Sequence, residues 1–206
     1  MFNVMLLIAG LAAAGQQPAP NPEAERASVH GRMAASGFVP LEEMTFGGRD
    51  VRRILPIDPY GGLPIPGIEL ERHDEGRVTL RAQYRGYTGD VYDVSAKEWD
   101  QLVALEEAAL GPPGKNSFIG RPGVAVHCWS GMVEASPAKA ATWWGCNDGT
   151  LAAQRYTEAV LELALSKKGC APNEKDVLWR FDDCFRDSEY LGDLALNARF
   201  AALRED

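Results

Sequence analysis

Lysine is scarce in this chain, six of 206 residues against 15 arginines, and acids outnumber the two basic residues together by 29 to 21. The resulting formal charge of −8 argues against a nucleic-acid binder, which carries a basic face, and against electrostatic attachment to anionic lipid. C-x-x-C spacing is missing and His127 beside Cys128 is badly spaced for a tetrahedral site, so neither metal nor cofactor is assigned. There is no G-x-S-x-G elbow to expose a nucleophilic serine, and no D-x-[DN]-x-[DN]-G calcium loop. His127, Ser130 and Asp148 sit near one another in sequence, but His127 and Ser130 are three apart on a strand and point to opposite faces. No catalytic residue is therefore named.

What is present points to export. Val4 to Ala14, VMLLIAGLAAA, is an apolar run too short to span a bilayer, and Ala12-Ala13-Ala14 fits the A-x-A cleavage pattern before Gly15. Only the amino terminus supplies the positive charge of its n-region. The expected organisation is a cleaved signal peptide over 1–14, a polar proline-containing leader over 15–21, and one α+β domain over 22–206 with a sub-boundary near 111–117. The mature chain would be periplasmic or extracellular, without a membrane span. In an oxidising compartment the four cysteines form two disulfides by default.

Gly123 to Cys146 holds two of those cysteines and reads as a β-hairpin, Val124–Glu134 with Lys139–Cys146, turning at Ala135-Ser136-Pro137-Ala138. Centring the turn on Pro137 sets Cys128 opposite Cys146, Trp129 opposite Gly145 and Gly131 opposite Trp143. The register predicts the disulfide Cys128–Cys146, leaves Cys170–Cys184 as the other, and places each glycine under a covering tryptophan.

Upstream, Asn21-Pro22-Glu23 predicts a helix from Pro22 to about Ala35, ending at Gly37, with His30 on its solvated side. Pro56 to Gly67 carries four prolines and three glycines, which predicts a loop and excludes a central strand. Ile68–Arg72, Arg77–Arg85 and Val91–Val94 alternate as a three-stranded meander, apolar on one face, with Arg81 and Gln83 on a face expected to be wet. His73, at its turn, reads as solvated. Ser95 with Glu98 is a capping box, so a helix starts at Ala96, burying Trp99, Leu102, Val103, Ala109 and Leu110 and leaving Glu106-Glu107 in solvent. Helices are predicted over Leu151–Lys168, over Glu174–Phe185 capped by Asn173, and over Glu189–Leu203. The fold class is α+β: antiparallel hairpins and a meander of about five strands, packed with four to five helices and stapled in the C-terminal half.

The hairpin's odd-numbered face carries the candidate ligand residues His127, Trp129 and Trp143. Two indoles and an imidazole on one strand face could stack a sugar ring or an aromatic group. The competing account is core, with helix 151–168 over it, and the tendency of large aromatics to bury favours core. If that helix docked elsewhere, the disulfide face would be the deep core and the histidine face the open one. The functional expectation is a binding, inhibitory or structural envelope protein with a small molecule, a glycan or an envelope protein as partner; the alternative is an exported hydrolase.

Overall fold

The computed structural model describes residues 22–41, 49–59, 66–84, 87–111, 128–137, 139–146 and 151–186. The signal-peptide segment, His127, the Asn147-Asp148-Gly149-Thr150 cap and the predicted helix Glu189–Leu203 lie outside them. In chain order the elements are α1 (Pro22–Ala35), β1 (Asp50–Ile57), β2 (Gly67–Arg72), β3 (Val78–Tyr84), β4 (Tyr87–Val94), α2 (Ala96–Leu110), β5 (Ser130–Ala135), β6 (Lys139–Trp144), α3 (Leu151–Lys168) and α4 (Val177–Arg186). The strands form one antiparallel sheet in the order β4-β3-β2-β1-β5-β6, so the meander and the hairpin, predicted separately, are joined through β1. The chain is α+β, with six strands where about five were expected.

The sixth strand is β1, and it runs through Pro56 in the middle of the sheet, against the expectation of a loop from that residue. The ladder explains the tolerance. Ser136 N–H donates to Val51 C=O, and antiparallel alternation then makes Arg53, Leu55 and Ile57 the next residues bonded to β5. Pro56 faces Gly131 without bonding to it and turns its missing donor toward β2, whose pairing with β1 ends at Ile54–Ile68. No ladder bond is lost.

Helices cover both faces. On one, α2, α3 and α4 bury Trp99, Leu102, Tyr156, Val160, Leu161, Ala164 and Phe181 against Ile54, Ile68, Leu70, Leu80, Val133 and Trp143. On the other, α1 packs Val29 and Met33 with Phe38 on Leu55 and Met132. The Ser95–Glu98 capping box forms as predicted. Glu98 also accepts from Lys167 Nζ at 2.9 Å, tying α2 to α3, and this ammonium with the Ser95 bonds holds its carboxyl down at about 2. Gly169 (φ 78°) ends α3, where Cys170 N–H reaches back to Leu165 C=O at 3.0 Å, as the C′ glycine requires.

Three helix details differ from expectation. Val103 is exposed and Glu106 takes its place in the buried stripe, because Arg52 Nε donates to Glu106 Oε2 at 2.7 Å from the sheet. Where the spacing predicts Ala152, Tyr156, Ala159, Val160 and Leu163 as the apolar stripe of α3, the buried one is Ala153, Tyr156, Thr157, Val160, Leu161, Ala164 and Leu165, with Ala159 and Leu163 at its margin. The last described helix begins at Val177, capped by Asp176, whose carboxylate accepts from Leu178 N–H at 2.9 Å, while Asn173 closes a turn on Lys175 N–H.

Cys128–Cys146 and Cys170–Cys184 are both bonded, with Cα separations of 5.7 and 6.2 Å. The hairpin register is the predicted one: Gly131 opposes Trp143, Ser130 opposes Trp144, and Gly145 N–H donates to Trp129 C=O at 2.7 Å. A Cβ on Gly131 would lie 2.6 Å from the Trp143 indole, so that ring covers the glycine closely. At Gly145 the nearest atom would be the Trp129 carbonyl oxygen, and no indole covers it.

Candidate functional site

Two polar constellations lie on the α1 face, one closed and one open. The closed one is a row across four strands. Glu134 on β5 opposes Arg53 on β1, Arg53 opposes Glu69 on β2, and Glu69 opposes Arg81 on β3. Arg53 Nε donates to Glu69 Oε2 at 2.7 Å and its Nη1 to Glu134 Oε1 at 2.9 Å. Arg81 Nε donates to Glu69 Oε1 at 2.8 Å. At the other end His30 Nδ1 of α1 lies 2.6 Å from Glu134 Oε2. Arg53 and Glu134 are each 1% exposed, and the Arg53 guanidinium lies over the Phe38 ring.

The alternation that makes Arg81 and Gln83 an outer face is therefore correct, but that face is not wet. The segment Pro22–Phe38 covers it, and Gln83 Nε2 donates to Gly37 C=O at 2.8 Å. His30, expected in solvent, is half-buried against Glu134, and His73 bonds Thr79 Oγ1 at 3.1 Å instead of standing free. Burial of this kind demands paired charges, and every member here has a partner of opposite sign or a hydrogen bond. The row ties α1 to the sheet through His30, and its hydrogen bonds are made within it. Arg52, Glu106 and Tyr156 form a similar closed group beneath α3, where burial first and the Glu106 charge second push the Tyr156 hydroxyl well above its ordinary range.

The open constellation lies where α1 leaves the sheet uncovered, at the Ile57 end of β1 and the adjoining β5–β6 ladder. It is a cleft of about 420 Å³ lined by α1 (Ser28, Arg32), β1 (Ile57), β5 (Ser130, Gly131, Met132) and β6 (Thr142, Trp143, Trp144). Ser28 and Arg32 are one helical turn apart on one side of α1. Ile57, Ser130, Met132, Thr142 and Trp144 share the opposing sheet face by pairing and parity. The floor is apolar and the rim carries hydroxyls and one cation. Thr142 is already engaged: its N–H and Oγ1 both donate to Glu25 Oε1, at 3.2 and 2.8 Å, which caps an outward donor of the edge strand β6.

Of the three residues predicted to touch a ligand, Trp143 belongs to this lining and is 1% exposed. Trp129 is buried in the main core, edge-to-face with Trp179 at 5.1 Å, and His127 lies outside the described residues. The odd-numbered hairpin face is core under α3, and the opening is on the even-numbered face, the reverse of the arrangement expected had α3 docked elsewhere. Sequence reasoning missed Ser28 and Arg32, which lie outside the hairpin, and Trp144, which lies within it but on the even-numbered face that carries the disulfide. Among the described residues no helix is long and apolar enough to cross a membrane. Compared with protein-family models, curated proteins and solved structures, the chain matches none.

Proposed function

We propose that this is an exported binding protein whose ligand site is the cleft between α1 and the β5–β6 end of the sheet. The observation that carries the reading is the division of polar groups on the α1 face: the charge row is consumed internally, while the cleft keeps an apolar floor under hydroxyls and a guanidinium. Its volume, about 420 Å³, falls in the range of small-molecule sites. Trp143 adjoins the cleft and, with Trp129, backs the β5–β6 strand pair from the α3 side. A small molecule or the end of a glycan fits such a site.

Export rests on the Val4–Ala14 run with its A-x-A site and on two disulfides, which persist in oxidising compartments. The location is periplasmic or extracellular, and the mature chain begins near Gly15. Residues 22–206 are read as one domain because a single sheet takes strands from both sides of 111–117. Intact mass of protein from its native host tests the export half, and a full-length mass in the cytoplasm refutes it. The binding half is tested by screening small molecules and oligosaccharides for saturable quenching of tryptophan fluorescence. Ser28→Trp, on the exposed side of α1, should fill the cleft and abolish binding without lowering the melting temperature. A screen with no saturable hit, or a hit indifferent to Ser28→Trp, retires the reading.

A further inference from the structure

We infer that the ligand of the cleft is a small organic anion, its acid group held by Arg32 with Ser28 and Ser130, its ring lying on Ile57, Met132 and Trp144. This rests on the reading of the cleft as the ligand site and adds the chemical class. Arg32 is the single charged side chain in the lining. Most described cations of this acidic chain are spoken for: Arg49, Arg52, Arg53 and Arg81 each lie within ion-pair distance of a carboxylate. Arg32 has no such partner among the described residues. The hydroxyls of Ser28 and Ser130 likewise make no hydrogen bond among the described residues, whereas Ser95 and Ser136 do.

The three unpartnered groups share one property: each can donate, and the guanidinium can only donate. A carboxylate, sulfonate or phosphate is the group that accepts from all of them at once, with charge-assisted bonds about twice as strong as neutral ones. Repulsion does not oppose it. No carboxylate lines the cleft, and Glu25, one turn before Ser28 on α1, already accepts two hydrogen bonds from Thr142. The floor of Ile57, Met132 and Trp144 takes an apolar body of one or two rings, for which Trp144 offers an aromatic edge or face. A neutral sugar would satisfy the hydroxyls but leave the guanidinium without a counter-charge.

The test uses two probes of one shape, naphthalene-2-carboxylate and naphthalene-2-carboxamide, titrated into the mature disulfide-bonded protein by calorimetry at low salt. The acid should bind at least ten-fold more tightly than the amide, and Arg32→Gln should erase that preference while leaving amide affinity and melting temperature unchanged. Ser28→Trp should abolish binding of both. Equal affinities, or an acid preference that survives Arg32→Gln, overturns the anion inference while leaving the cleft as the site. Absence of binding by either probe, or binding untouched by Ser28→Trp, overturns the inference and the site together.

Discussion

Arg53→Met is the substitution that most directly interrogates how this fold is held. Arg53 stands between two carboxylates in one row, bonded to Glu69 at 2.7 Å and Glu134 at 2.9 Å, in a place that is 1% exposed. Methionine keeps the unbranched stem that packs against Phe38, so the loss is mainly that of the charge and its hydrogen bonds. Glu69 retains Arg81 and Glu134 retains His30, but each loses the partner that neutralises it most deeply. Breaking a buried pair from one side costs about 3–5 kcal/mol, because the remaining charge stays desolvated. With a urea m-value of about 2 kcal/mol/M, the midpoint should fall by about 2 M. The triple variant Arg53→Met/Glu69→Leu/Glu134→Met removes the orphaned carboxylates together and leaves Arg81 and His30, both partly exposed, to water. It should recover to within about 2 kcal/mol of the parent, as apolar replacements of buried ion groups do. Urea melts at pH 7 monitored by tryptophan fluorescence read both. A single-variant loss under about 1 kcal/mol would mean that water already reaches the row, and the account of α1 docking given above would be wrong.

Three further outcomes follow from the same packing. Trp143→Ala, at a residue 1% exposed that covers Gly131, should cost about 3–5 kcal/mol in chemical denaturation; a loss near zero would mean the indole is not core. Glu98 has its carboxyl lowered from 4.5 to about 2, chiefly by Lys167 and then by Ser95, so its stabilisation is complete above pH 4.5 and disappears as pH falls toward 2. Being partly exposed, it contributes about 1 kcal/mol at most, and Glu98→Gln should flatten the wild-type slope in that window; parallel pH profiles would refute the assignment. Replacing Cys170 and Cys184 by serine removes a cross-link over 14 residues and should cost about 3 kcal/mol, with the Cys128–Cys146 peptide still recovered in non-reducing maps. Recovery of a Cys128–Cys184 peptide from the native chain would overturn both pairings.

What could be read from the sequence was local. The Ser95–Glu98 box, the Gly131–Trp143 register and the span Pro22–Ala35 each depend on residues within one turn, one hairpin or one helix, and each is found as predicted. What escaped was non-local. Arg53, Glu69, Glu134 and Arg81 are scattered over strands up to 81 residues apart in their hydrogen bonds, and only the β3-β2-β1-β5 order makes them one row. Glu106 looked like half of a solvated acid pair because nothing near it in the chain names Arg52 as its partner. Pro56 misled for the complementary reason: its missing donor matters only if a neighbouring strand needs it, and β2 stops pairing two residues earlier. The cleft shares this character, since Ser28 and Arg32 meet Ser130 and Trp144 only after α1 crosses β5 and β6.

The placement of the cleft follows from how α1 is anchored. Its contacts with the sheet are polar at fixed points: His30 on Glu134 near the middle, and Glu25 on Thr142 at the β6 edge. Apolar contact is made by Val29, Met33 and Phe38 over Leu55 and Met132, with Ile57 and Ala140 partly buried at its margin. A 14-residue helix set down on those points covers the rows through Arg53 and Leu55 but buries Ile57, Ser130 and Trp144, one step further along the strands, only in part. Covering them would require side chains larger than Ser28 on that flank of α1. The chain instead places serine there and arginine one turn on, which keeps the floor open and puts a donor above it. The anchoring of α1 and the lining of the cleft thus fall to different residues of one helix, His30 and Glu25 for the first, Ser28 and Arg32 for the second. For that reason the cleft variants proposed above should alter binding while leaving the melting temperature where it was.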